Sequence, residues 1–180
     1  LGWHPYNANK LTEYGYGKFM DVIANIDVEE MAKSGSIIKP SDKKAADSVL
    51  FIQCAGSRSN EHLPYCSSYC CGTSLKQAKY IRDANRNASV FIIYKDIRTP
   101  GHYENFYKEV QKDEQVFMTK GEVIKVSKKN GKLNVLVNNT VIGEKISIPV
   151  DLIVLATGMI PADSEELNLN EGDTVYGFST

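Results

Sequence analysis

The sequence has no excess of charge of either sign: 21 Lys and Arg face 22 Asp and Glu, a formal net charge of -1 in 180 residues. A nucleic-acid partner is not favoured, because phosphate backbones are held by clustered cations. No apolar run approaches the roughly 20 residues that a bilayer-spanning helix needs, and no charged segment leading into an apolar stretch marks a secretory signal. A cytoplasmic location without a direct membrane span is expected. No Ser/His/Asp arrangement or paired-carboxylate motif argues for hydrolysis, and there is no internal repeat or low-complexity tract. The remaining composition, 42% apolar and 24% charged, is ordinary for one globular domain with a flanking piece. The opening Leu1-Gly2-Trp3 has no initiator methionine, which suggests a processed product or, as the favoured expectation, a fragment.

Cysteine is absent from nine-tenths of the chain, and all four cysteines lie between Cys54 and Cys71, spaced C-x11-C-x3-C-C. Such clustering points to a redox or metal centre. The apolar run 48–53 precedes Cys54 and reads as a buried strand ending in a turn. A helix beginning near Cys66 is expected from Leu75, Ala78, Lys79 and Ile81 at helical intervals. Cys66 and Cys70 would then share one face of its first turns, with Cys71 about 100° further round. Backbone N–H groups and the positive end of the macrodipole at a helix N-terminus favour thiolates. Four thiolates suit tetrahedral zinc or an iron–sulfur cluster. Zinc sites usually come as two C-x2-C knuckles, so the spacing here ranks iron–sulfur above zinc. The bland alternatives are four reduced, partly buried cysteines, or a disulfide pair in a secreted protein.

Residues 1–46 are punctuated by glycine and proline, with one short helix at 28–33, and do not read as a self-sufficient core. Residues 47–158 are regular: strand 48–53, the cysteine loop and helix, strand 89–95, helix 102–112 and strand 115–119. This order implies parallel strands with crossovers. Three shorter strands near 121–128, 132–138 and 144–149 form a meander, and the run 150–155 re-enters the sheet and ends at Ala156-Thr157-Gly158. These elements outline an α/β, Rossmann-like nucleotide-binding domain of a two-dinucleotide flavoprotein, in a degenerate form. The G-x-G-x-x-G turn that brings a pyrophosphate to a helix N-terminus is missing. In its place stands Cys54-Ala55-Gly56-Ser57-Arg58-Ser59 followed by a long loop, so nicotinamide binding is not expected.

The segments Phe51-Ile52-Gln53-Cys54-Ala55-Gly56-Ser57-Arg58, Tyr65-Cys66-Ser67-Ser68-Tyr69-Cys70-Cys71, Asp96-Ile97-Arg98 and 151–158 resemble the family of heterodisulfide reductase A subunits, which includes the A subunit of the quinone-interacting membrane-bound oxidoreductase. The opening 2–6 and the segment 22–25 are similar to that family's crossover out of its flavin domain. The resemblance implies an iron–sulfur flavoprotein oxidoreductase with a thioredoxin-reductase-type fold, of which this chain is an electron-transfer fragment, inactive by itself. It implies that Cys54, Cys66, Cys70 and Cys71 ligate a [4Fe-4S] cluster. It also implies that Gly158, Met159 and Pro161, at the head of a return segment 159–180, belong to the region that meets FAD in the full-length protein. The implied partners are other subunits of a heterodisulfide-reductase-like or quinone-interacting complex.

A thiol–disulfide oxidoreductase domain and a zinc-stabilised interaction module are the competing functions, the first weakened by the missing C-x2-C. Arg58 is placed to offset the charge of a cluster or to sit exposed in its loop. Asp96 stands where a dinucleotide fold would carry its ribose-binding acid, although without the glycine turn a helix-entry or salt-bridge role is favoured. Asp151 reads as structural. His4 and His102 have no ligand-like spacing, and His62 is a weak candidate ligand. Trp3, Tyr6, Tyr14, Tyr16 and Phe19 crowd a segment short of regular structure, so an exposed aromatic surface and self-association are expected.

Overall fold

A computed structural model describes residues 2–162 and, beyond them, only the paired backbone strands 174–175 and 178–179. The rest of the expected return segment lies outside the described residues. In chain order the elements are β1 (Trp3–Pro5), β2 (Val22–Ala24), α1 (Asn25–Lys33), β3 (Ser48–Ala55), α2 (Cys70–Ala84), β4 (Ser89–Tyr94), α3 (Tyr103–Gln111), β5 (Val116–Lys129), β6 (Lys132–Asn139), β7 (Glu144–Val150), β8 (Leu152–Thr157) and β9 (Met159–Pro161). Seven strands form one sheet in the order β2-β8-β3-β4-β5-β6-β7. The pairs from β2 to β5 are parallel, and β5, β6 and β7 form an antiparallel meander. The architecture is α/β and Rossmann-like, with the parallel sheet and β-meander that the sequence pattern predicts.

β3 shows why the sheet lies in the middle of the molecule. Successive side chains of a strand point to opposite faces. Val49 and Phe51 enter an apolar cluster with Val28 of α1, Leu75, Ala78 and Ile81 of α2 and Val110 of α3, which covers one face with helices. Leu50 and Ile52 enter a second cluster with Tyr6, Leu11 and the meander residues Val126, Leu133, Val135 and Val137. A strand apolar on both sides is what two covered faces demand.

Three expectations change. Residues 1–46 contribute to the core: Leu11 and Val28 are fully buried, Tyr14, Tyr16 and Phe19 pack against a core cluster, and β2 pairs with β8. Trp3 alone of the five rings is largely exposed, at 57%. The helix expected at 28–33 starts earlier because Asp27 Oδ2 accepts the Ala24 N–H at 2.7 Å and so satisfies an N-terminal donor. The strands expected at 115–119 and 121–128 are one continuous strand, β5. Gly121 sits inside it as a packing glycine, since a Cβ there would come within 2.7 Å of the Asn138 carbonyl oxygen on β6.

No helix among the described residues is long and apolar enough to cross a membrane. Phe51 is fully buried at the centre of the sheet. Phe51→Ala is expected to destabilise the chain by about 3–5 kcal/mol, read as a lower urea midpoint with an unchanged m-value.

Candidate functional site

The site forms where β3 and β8 end side by side. They pair in register from Val49 with Leu152 to Ile52 with Leu155, and pairing resumes as Ala55 with Thr157. Two residues, Gln53 and Cys54, thus oppose Ala156 alone. This is a β-bulge, a device that re-aims a side chain at a strand end. Cys54 accommodates it in the left-handed region, at φ 56°. Arg58 (φ 56°) and Ser68 (φ 54°) are held in the same region, so three of the five described non-glycine residues with positive φ lie within the cysteine segment 54–71. Each such conformation costs on the order of 1–3 kcal/mol and persists only where its surroundings over-determine it.

The surroundings here are a loop tied to both strands. Ser57 N–H donates to the Cys54 carbonyl at 3.0 Å, Arg58 N–H to the Tyr65 carbonyl at 3.1 Å and Leu63 N–H to the Gly56 carbonyl at 3.0 Å. Tyr65 Oη donates to the Met159 carbonyl at 3.0 Å, and Met159 N–H donates to Ser67 Oγ at 2.9 Å. These bonds hold residues 65–67 against β9 in a non-helical path. Helix α2 therefore begins at Cys70, not near Cys66 as the sequence periodicity suggested. Cys66 comes from the loop, Cys70 and Cys71 from the first two helical residues and Cys54 from the bulged strand. The expected helical arc of three sulfurs is replaced by three separate supports.

The four cysteines are free; Cys54, Cys70 and Cys71 are buried and Cys66 is half-buried. Cys70 Sγ donates to the Thr157 carbonyl at 3.1 Å, Cys71 Sγ approaches the Asp96 carbonyl at 3.8 Å, and Ser68 N–H donates to Cys66 Sγ at 3.4 Å. Burial pushes the Cys70 thiol up from 9.0 to about 12, and the charges of Cys54, Cys71 and Cys66 add to the rise. The Cys54 and Cys71 thiols are raised as well, by burial first, while Arg58 acts against the rise at both. Thiols so close together resist ionising unless a cation is shared among them.

Four free cysteines are a donor set that would suit a thiolate-bound iron–sulfur cluster, whose positive charge would favour their thiolates. Among the described residues, no three Cys, His, Asp or Glu side chains converge tightly enough to hold a single metal ion. For a dinucleotide, by contrast, the described residues present no short glycine-rich turn between strand and helix.

The other candidates fall into local roles. His62 Nδ1 meets Tyr6 Oη at 2.9 Å and Nε2 meets Glu13 at 3.2 Å, so both ring nitrogens are engaged within the chain. His4 lies on β1 opposite Ile160, and His102 is exposed before α3. Asp96 accepts from Arg58 at 2.8 Å and faces Lys120 at 3.5 Å, the salt-bridge member of the two roles expected of it. Asp151 accepts from Ser48 Oγ at 2.8 Å and pairs with Lys132 at 3.2 Å. Gly158 is buried, and its carbonyl accepts the Tyr6 N–H at 2.8 Å. Met159 and Pro161 lie on β9, paired with Pro5 and Trp3 of β1. Sequence reasoning missed Asn25 and Thr157: Thr157 Oγ1 donates to Asn25 Oδ1 at 3.1 Å while its carbonyl receives Cys70. Only their positions at two strand ends hinted at this link.

No family model matches the chain. The chain is 38% identical over 167 residues to the A subunit of the H(2)/formate:CoB-CoM heterodisulfide,ferredoxin reductase of Methanococcus maripaludis, covering 88% of this chain and 25% of that protein. It is 36% identical over 172 residues to the iron-sulfur A subunit of the CoB–CoM heterodisulfide reductase of Methanocaldococcus jannaschii, covering 89% and 26%. The chain thus spans about a quarter of the length of these relatives. In fold alone it is similar to an ornithine N-hydroxylase of Kutzneria sp. 744, with a TM-score of 0.53 over 83% of this chain and 43% of that one at 12% identity.

The packing and the thiol burial each have a measurable consequence. A Cβ on Gly158 would collide with Ser57 Oγ and come within 3.0 Å of Leu63 and Ser67, so Gly158→Ala is expected to cost about 1–3 kcal/mol by overpacking, measured by thermal melting. In the metal-free, reduced chain the raised Cys70 value stabilises the fold fully below about pH 9, where folded and unfolded thiols are both protonated. That contribution is lost as the pH rises toward about 12, because the unfolded chain ionises first. Denaturant midpoints at pH 7 and pH 10 should show the decline, and Cys70→Ala should flatten it.

Proposed function

The chain belongs to the family of heterodisulfide reductase A subunits, and from that premise we propose that it is an electron-transfer module in which Cys54, Cys66, Cys70 and Cys71 ligate a [4Fe-4S] cluster. The observation that carries this reading is the bulge in β3, which brings a strained Cys54 into electrostatic reach of the three other thiols. A cluster so bound supplies a one-electron relay. The chain's own residues set its surroundings. The start of α2 supplies Cys70 and Cys71 at the positive end of its dipole, Ser68 N–H donates to Cys66, and the apolar ends of β3 and β8 limit the access of water.

The relatives are oxidoreductase subunits, and this module takes the same role within a longer iron–sulfur flavoprotein. FAD belongs to that full-length protein, with Gly158, Met159 and Pro161 at the approach to it. Partners are other subunits of a heterodisulfide-reductase-like or quinone-interacting complex. Four free thiols agree with a reducing, cytoplasmic setting.

Anaerobic reconstitution of the chain with iron and sulfide tests the assignment. About four iron atoms and about four labile sulfides per chain are expected, as for other four-cysteine clusters, and Cys70→Ser or Cys71→Ser should lower both sharply. Stoichiometric zinc without sulfide, or unchanged iron in the serine variants, would overturn it.

A further inference from the structure

Arg58 follows the bulged Cys54 by one turn of the loop and is fixed by more than its side chain. Its backbone is held at φ 56°, with its N–H on the Tyr65 carbonyl. Nη2 donates to Asp96 Oδ2 at 2.8 Å. Nη1 is buried without a nitrogen or oxygen acceptor, and the guanidinium also engages the Cys54 side chain by hydrogen bonding. The guanidinium is therefore shared between Asp96 and the cysteine site and is more than a clip to Asp96. The guanidinium charge acts on Cys54 and on Cys71, and the backbone carbonyl of Asp96 itself lies against Cys71 Sγ.

The Arg58–Asp96 pair thus bridges the cysteine loop and the end of β4 beside two of the four sulfurs. The two charges are not equally placed. The Arg58 side chain is 25% exposed and that of Asp96 48%, so water screens the carboxylate more than the cation. Lys120 also draws on Asp96 from the solvent side. Of the two charges, the cation is therefore the less screened and the nearer to engaging a sulfur. Arg98 adds its positive charge at Cys71 from an exposed position.

Resting on the cluster reading above, we propose that Arg58 is a positioning and charge-balancing residue that raises the reduction potential of the centre, with Asp96 as its counterweight. Reduction adds an electron to a centre whose thiolates and sulfides already make it negative. A fixed cation beside it stabilises the reduced form more than the oxidised one. An anionic Cys54 sulfur would turn the existing Arg58–Cys54 contact into a charge-assisted hydrogen bond.

The test is a potentiometric titration of the reconstituted chain, followed by the electron paramagnetic resonance of the reduced cluster, with iron and sulfide counted in every sample. Arg58→Gln should keep its iron and shift the oxidised-to-reduced ratio about tenfold toward oxidised at a given potential, about 59 mV more negative for a one-electron couple. Asp96→Asn should shift it the opposite way, and Arg58→Lys should restore most of the wild-type value. Loosening of a merely structural clip would move both variants in one direction, or lower cluster content without moving the potential, and either result would overturn the proposal. No iron or sulfide in the wild-type chain would instead remove the cluster reading, and this inference with it.

Discussion

The pairing of β3 with β8 is the constraint on which the rest of the site depends. Parallel neighbours end at the same edge of a sheet, so Cys54 and Thr157 arrive together although more than 100 residues separate them in the chain. The extra residue in β3 then turns Cys54 out of the ladder at the one place where β8 is about to leave it. Thr157 fixes what comes next. Its carbonyl receives Cys70 and its hydroxyl reaches Asn25, so the starts of α1 and α2 are both referenced to the end of one strand. Gln77 completes the connection by donating to the Asn25 carbonyl at 2.7 Å and to Glu29 at 2.8 Å.

The same constraint explains the absence of side-chain space at Gly158. A residue with a Cβ there would enter the volume filled by Ser57, Leu63 and Ser67, which belong to the loop that carries Cys66. The loop lies directly over the end of β8 and takes its shape from it. Its hydrogen bonds run to Met159, and β9 in turn pairs with β1. Sheet edge, cysteine loop and the β1–β9 ribbon are therefore one mechanical unit. The strained backbone at Cys54, Arg58 and Ser68 is sustained by that unit.

Electrostatically the site departs from an ordinary protein interior. Buried cysteines commonly behave as small neutral hydrophobes, but here burial and the mutual repulsion of their charges hold the thiols protonated, while Arg58 opposes that rise at Cys54 and Cys71. Where a dinucleotide-binding domain of this topology offers backbone N–H groups to a phosphate, this one presents sulfur.

The sequence by itself determined the parallel sheet, the meander and the clustering of reactive residues, because these depend on local periodicity and on which residue types occur near one another. Strand 48–55 was legible from a run of apolar β-formers, and the four cysteines from their spacing. The start of α2 was not legible: residues 66–69 carry no helix breaker, and only bonds from Tyr65 and Ser67 to a strand more than 90 residues later keep them out of the helix. The fate of residues 1–46 was likewise a tertiary matter, since three residues of strand are too few to signal themselves and gain stability only by adding to β8. The approach of Arg58 to Cys54 and Cys71, and its union with Asp96, required the ends of β3 and β4 to meet. Local sequence sets which side chains are available, whereas long-range strand pairing decides which of them share a space, and that is where the chemistry of this chain resides.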